Sequence, residues 1–198
     1  MSWLPTTTSD EALMLQFQGG SRAAFEELFA RYRKPLYGFF ARRLNNPERA
    51  EDLTQETFLA VIHAVSRYEP RALFRTYLYG IALKLVAAER RKFLTSRTSG
   101  ESAAEPKTDG APDSVLWVRQ ALEKLDAADR EILMLREYEQ LSYSDIAELL
   151  RIPINTVRSR LFRSRLALKS YLESQAKIHP GPRANDDAPQ RPGRRGMQ

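Results

Sequence analysis

Apolar residues recur along most of this chain at spacings of three and four, the period of a helix with one buried face. The first such run, DEALMLQF, is preceded by Thr8 and contains Glu11, the spacing of a capping box, and Gly19-Gly20 ends it. A second run starts at Ser21 and puts Ala24, Phe25, Leu28, Phe29 and Tyr32 at helical spacing. Pro35 is expected either to kink this helix or to begin a new segment, because proline lacks the N–H that a helix interior uses. Apolar positions continue through Leu36, Phe39, Phe40 and Leu44, and Asn45-Asn46-Pro47 reads as a turn. A third helix is expected over about 48–66. Leu53, Thr57, Phe58, Val61, Ile62 and Val65 form its buried stripe, and Glu51, Asp52, Gln55 and Glu56 crowd the other face. Glu69-Pro70 marks a loop, after which a helix resumes near Ala72.

The pattern breaks at 95–114. The stretch TSRTSGESAAEPKTDGAPDS is poor in large apolar residues, rich in Ser, Gly, Pro and Ala, and carries four acidic residues against two basic. Such a composition cannot bury enough surface to order itself, so a flexible linker is expected. Helical spacing returns with Val115, Val118, Ala121, Leu122 and Leu125, then Ile132, Leu133 and Leu135. The Pro/Gly/Arg-rich tail 177–198 is expected to be disordered. The fold class that follows is all-α: two small helical domains, 1–94 and 115–176, joined by the linker and each folding on its own.

The segment 141–169, LSYSDIAELLRIPINTVRSRLFRSRLALK, is the most specific local pattern. Ser142 and Asp145 form a capping box ahead of Ile146, Ala147, Leu149 and Leu150, and Arg151-Ile152-Pro153 stops that helix. A second helix is expected from about Asn155. Steps of about 100° put Val157, Leu161 and Leu168 on one face and Arg158, Ser159, Phe162 and Arg163 on the other. Between Arg151 and Lys169 there are six basic residues and no acidic one. A short helix, a tight turn and a basic second helix make a helix-turn-helix, whose second helix enters the major groove of DNA. A helical hairpin with a solvated basic face is the plainer alternative.

Charge sharpens that reading. The chain of 198 residues has a formal charge of +6, which suits a polyanionic partner. Yet residues 115–176 hold ten basic against nine acidic residues, so the positive charge of that domain is a patch on one helix. Residues 67–92, RYEPRALFRTYLYGIALKLVAAERRK, interleave cations with Tyr68, Phe74, Tyr77 and Tyr79. Aromatic rings stack unpaired bases while cations hold phosphates, and Tyr68 and Tyr77 are the rings least expected to serve the core alone. The chain has no cysteine and only His63 and His179, which leaves no material for a conventional zinc or imidazole site. No metal, cofactor or catalytic residue is expected. The N-terminus lacks the pattern of a signal peptide and no apolar run approaches about 20 residues, so a cytoplasmic location is expected.

Together these segments resemble the bacterial RNA polymerase sigma factors of the extracytoplasmic-function (ECF) group, from residue 10 to about 171. GGSRAAFEELFARYRKPLYGFF resembles the opening of the family's first domain, and AEDLTQETF the segment that docks on the clamp helices of the largest polymerase subunit. FRTYLYGIALKLVAAERRK resembles the promoter-melting, minus-ten-reading segment, and LSYSDIAELLRIPINTVRSRLFRSR the minus-thirty-five-reading domain. The resemblance implies a factor that binds core polymerase and directs promoter-specific initiation, itself without catalysis. Asp52, Gln55 and Glu56 would then contact the core enzyme. Tyr68, Arg71, Arg75, Tyr77, Lys84, Arg90 and Arg91 would meet the minus-ten element. Thr156, Arg158, Ser159, Arg160, Phe162, Arg163 and Arg165 would meet the minus-thirty-five element. The implied partners are core polymerase (clamp helices, and the flap of the second-largest subunit) and promoter DNA, with an anti-sigma factor as a further candidate. Three positions depart from the family: Tyr77 for tryptophan, Lys84 for asparagine, and Ala88 for an acidic residue. A stand-alone helix-turn-helix regulator is the alternative, and it leaves the acidic AEDLTQETF face unexplained.

Overall fold

The computed structural model describes residues 8–44, 46–98 and 113–178, and among them there are helices and no strand. Four α-helices precede the break in the described residues: α1 (Asp10–Gln18), α2 (Arg22–Leu44), α3 (Pro47–Ala64) and α4 (Phe74–Thr98). A single 3-10 turn, Val65–Arg67, follows α3. Four more follow the break: α5 (Asp113–Glu123), α6 (Ala127–Glu137), α7 (Tyr143–Leu150) and α8 (Ile154–Ile178).

Local chemistry sets most of the boundaries. Ser9, not Thr8, caps α1, its hydroxyl accepting from the Ala12 N–H at 3.2 Å. Glu11 is thereby released from the expected box, and its carboxylate accepts from the Phe74 N–H at 2.8 Å. It caps α4 from 63 residues away. After α1 the chain turns through Gly20 at φ +98, where a side chain would be strained, and the Ser21 N–H reaches back to the Gln16 carbonyl. Pro35 neither breaks nor restarts α2; it is exposed, so water can take the carbonyl it leaves without a partner. Asn46 caps α3 and Pro47 follows at its start, where a missing N–H costs nothing.

The first four helices pack around Met14, Leu28, Leu36, Phe39, Phe40, Leu53, Phe74 and Leu78, all essentially inaccessible to water. Phe17, Phe25, Phe29 and Phe58 form a second aromatic group, with Phe29 and Phe58 ring centres 4.7 Å apart. The expected stripe of α3 holds at Leu53, Thr57, Phe58 and Val61, but Ile62 is 37% exposed and Val65 half-buried. In α5–α8 the core is Ala121, Ile132, Leu133, Leu135, Leu141, Ile146, Val157 and Leu161. Arg130 closes α5 by donating to the carbonyls of Leu122, Glu123 and Leu125 at 2.7, 2.8 and 3.2 Å, which satisfies acceptors a helix end leaves orphaned.

Both ends of the expected linker 95–114 are helical. Helix α4 continues through Thr98 and α5 begins at Asp113, while the residues between lie outside those described. Likewise α8 runs to Ile178, and the expected disordered tail beyond it lies outside them. The expected domains 1–94 and 115–176 also touch each other. Arg42 and Arg43 of α2 are ion-paired to Glu131 and Glu139 beside α6, and Gly80 of α4 meets Leu149 of α7.

Candidate nucleic-acid interface

The helix-turn-helix is built from its caps. The Ser142 hydroxyl accepts from the Asp145 N–H at 3.1 Å, and the Asp145 carboxylate accepts from the Ser142 N–H at 3.0 Å. The capping box read from sequence is therefore made in full. At the other end of α7, Arg151 adopts the left-handed conformation at φ 54, with the Ile152 N–H returning to the Ala147 carbonyl at 3.0 Å. That reversal launches α8 one residue earlier than expected, at Ile154.

On α8, Val157 and Leu161 are buried and Leu168 half-buried, while Arg158, Ser159, Phe162 and Arg163 are exposed, Phe162 to 69%. Among the described residues no ion pair engages Arg158 or Arg163; Arg158 reaches only its neighbour Asn155, at 3.3 Å. Thr156 is half-buried at the first turn, its carbonyl accepting from the Ser159 hydroxyl. Two expected DNA residues are ion-paired within the domain. Arg160 turns toward α6 and binds Asp129 at 3.1 Å, so it braces the domain. Arg165 donates to Glu137 at 2.7 Å and lies near the Tyr143 hydroxyl; the Glu137 hydrogen bond raises its pKa. Helical angle alone could not show that these two have acidic partners on another helix.

In the first domain, Tyr68 is only 6% exposed, its ring 5.5 Å from that of Tyr77 and 6.4 Å from that of Phe74. It does not present a free face to a base, contrary to expectation, because the loop folds it inward. The Gln18 amide pins that loop by donating to the carbonyls of Val65 and Tyr68 at 2.8 and 3.1 Å. Burial, then the Glu11 charge, pushes the Tyr68 phenol up to about 12, and its hydroxyl has no hydrogen-bond partner. Tyr77 is half-buried; burial raises its pKa too. Arg71 is exposed and paired with Glu69, and Arg75, Lys84, Arg90 and Arg91 are exposed. At about 100° per residue, Tyr77, Lys84 and Arg91 lie within a narrow stripe along α4.

The acidic face of α3 divides in two. Asp52 and Gln55 are exposed, but Glu56 is half-buried and accepts from Arg49 at 3.0 Å. The same guanidinium binds Glu89 of α4 through two donors, at 2.8 and 3.0 Å, and reaches Asp52 at 3.5 Å. These bonds, Glu89 foremost, raise the Arg49 pKa and hold the Glu89 carboxyl below its ordinary value. Continuing along the face that carries Gln55, Leu59 is 52% exposed and Ile62 37%. The sequence reading missed both; an exposed apolar pair beside acids was the available signal for Leu59.

Family models place these parts. The model described as Sigma-70 region 2 matches residues 28–93, and that described as Sigma-70, region 4 matches residues 116–168. The RNA polymerase sigma factor CarQ of Myxococcus xanthus is 34% identical over 80% of this chain and 95% of its own length. The RNA polymerase sigma-H factor of Pseudomonas aeruginosa is 30% identical over 85% and 96%. The ECF RNA polymerase sigma factor SigC of Mycobacterium tuberculosis is 34% identical over 85% and 95%. Among solved structures, CnrH in complex with the cytosolic domain of CnrY is 27% identical, covers 84% of this chain and 99% of its own, and superposes with a TM-score of 0.65. The sigma factor RpoE of Bartonella quintana, solved with the anti-sigma factor NepR, shares the fold at 24% identity and a TM-score of 0.62. The chain belongs to the sigma-70 family of RNA polymerase sigma factors, within its ECF group. It is a transcription initiation factor: it binds core RNA polymerase and directs transcription from chosen promoters.

Proposed function

We propose that three surfaces divide this work. Asp52 and Gln55, continued by Leu59 and Ile62, dock α3 on the clamp helices of the largest subunit. The α4 stripe of Tyr77, Lys84 and Arg91, with Arg75 and Arg90, meets the minus-ten element, where trapping unpaired bases shifts the duplex toward its open form. Arg71 serves there only by leaving Glu69. Tyr68 supports Tyr77 from beneath. Arg158, Ser159, Phe162 and Arg163 read the minus-thirty-five element in the major groove, and Thr156 sets the first turn that aims them. The observation that carries this last assignment is the exposed, unclaimed outward face of α8 directly after the left-handed turn.

The factor contributes no catalytic group; synthesis belongs to the polymerase. No helix among the described residues is long and apolar enough to cross a membrane, in keeping with work in the cytoplasm. CnrH and RpoE are each solved with a protein partner, and an anti-sigma factor is accordingly among the proposed partners, beside the polymerase flap. Holoenzyme binding to promoter and scrambled DNA across a range of salt tests the reading. Arg163→Ala is expected to cost about 1–3 kcal/mol on promoter DNA alone and to relax choice at one base pair. Arg160→Ala is expected to weaken folding more than base choice. Equal losses on both DNAs for Arg163→Ala would reduce that residue to a phosphate contact.

A further inference from the structure

The turn between α7 and α8 holds a cation in a backbone conformation that glycine adopts more easily. Arg151 has φ 54 and ψ 47, and Gln140 is the only other non-glycine residue at positive φ among those described. Backbone bonds fix this turn. The Ile152 N–H donates to the Ala147 carbonyl at 3.0 Å and the Arg151 N–H to the Glu148 carbonyl at 3.2 Å, the pair that closes a helix on a left-handed residue. Ile152 and Ala147 are both partly buried against the core, and Pro153 constrains the backbone that follows. None of these contacts uses the Arg151 side chain. Glycine is the ordinary residue at such a position, so arginine carries a strain there that the turn does not need.

The guanidinium is also free. Arg151 is exposed, and among the described residues it makes no ion pair and no side-chain hydrogen bond. Glu148, the acid nearest in sequence, makes no pair with it. Of the six basic residues from 151 to 169, Arg160, Arg165 and Lys169 are ion-paired to Asp129, Glu137 and Glu173, which leaves Arg151, Arg158 and Arg163. Arg158 and Arg163 lie on the outward face of α8, about 7.5 Å apart along its axis. Arg151 lies three residues before α8 begins, on the turn that joins it to α7. In a helix-turn-helix the second helix begins against the base edges and the first crosses the sugar-phosphate backbone. The turn between them therefore stands over the edge of the groove, where a cation meets phosphate oxygens.

We propose that Arg151 is a phosphate anchor: its guanidinium holds a backbone phosphate beside the bases that α8 reads, and so sets the register of the reading helix. The turn mounts it rigidly, so little backbone freedom is lost when the contact forms. The proposal rests on the assignment of α8 to promoter DNA, and adds to it a residue that supplies affinity without sequence choice.

Arg151→Gly removes the charge and relieves the strain together, so its urea unfolding should match or exceed that of the unvaried chain in stability. Holoenzyme carrying it is expected to bind promoter and scrambled DNA more weakly by the same factor, roughly three- to tenfold near 0.1 M salt. The slope of log affinity against log salt should shrink by about one. Arg151→Gln, which keeps a side chain in the turn, should lose the same affinity and slope, whereas Arg151→Lys keeps the charge and should retain most of both. Affinity for core polymerase should be unchanged in all three. Unchanged DNA affinity and slope in Arg151→Gly and Arg151→Gln overturn the anchor. So does a loss confined to the promoter, which would make Arg151 a base contact. A loss of core binding with DNA binding intact would assign the charge to an acidic protein surface and overturn the anchor as well. Equal binding of promoter and scrambled DNA by the unvaried holoenzyme would count against the α8 assignment instead, and scrambled DNA would still read the Arg151 contact.

Discussion

At the scale of residues, long side chains reaching across the fold decide which charges remain available to partners. Arg49 is the clearest case. It ties α3 to α4 through Glu89 and Glu56, and Arg49→Ala is expected to cost about 1–3 kcal/mol, read by urea unfolding, since charge-assisted hydrogen bonds are lost. The pH dependence follows in sign. Glu89 has its folded-state pKa depressed below 4.5 by the Arg49 hydrogen bonds, against an opposing push from burial. Its contribution is therefore whole above that value and drains away as the pH falls through the folded-state pKa. Unfolding free energies at pH 6 and pH 3 should differ less in Glu89→Gln than in the unvaried chain; an equal difference would remove Glu89 from the account. On the same face Gln55→Ala is the cleaner probe of docking, because Gln55 is exposed whereas Glu56→Ala also releases Arg49. Loss of core binding on the order of tenfold, with unchanged circular dichroism, is the expected result in a pull-down titration. These partnerships were not legible in the sequence. Glu11 finds Phe74 across 63 positions and Arg49 finds Glu89 across 40, and a local pattern carries no information about such distances.

At the scale of elements the sequence was read more fully, because the information is local. The Ser142–Asp145 box, the stop at 151–153 and the division of α8 into inward and outward faces follow from spacings of three and four. Leu161→Ala, on the inward face and 1% exposed, is expected to destabilise the fold by about 2–5 kcal/mol in thermal or urea unfolding. Arg151 holds a left-handed φ of 54 that costs a side-chain-bearing residue about 1–2 kcal/mol. Arg151→Gly trades that strain against greater freedom of the unfolded chain, so unchanged or slightly raised stability is expected, and a large loss would show that the side chain itself matters. Where periodicity failed, the reason is physical. Around α3, Ile62 lies within about 20° of exposed Gln55, at the margin of the buried stripe, and it stays exposed. Pro35 was compatible with a break, but an exposed α2 face tolerated it.

At the scale of the whole molecule, two helical units bearing separate recognition surfaces were legible from a composition break and two motif-rich segments, whereas their contact was not. Arg42 and Arg43 read as ordinary basic residues near a helix end, and Glu139 as one acid among several. Only folding reveals that Arg43 and Glu139, 96 positions apart, are a buried pair. The central claim remains that this chain confers promoter choice on a polymerase that lacks it, through the outward face of α8 and the stripe of α4. Run-off transcription with purified core polymerase on a library of upstream sequences tests it most directly. The account predicts transcripts of defined length, made only when the chain is present, from templates sharing two elements, with the upstream preference blurred at one position by Arg163→Ala. Transcripts that are the same with and without the chain, or that depend on it while ignoring upstream sequence, would contradict it.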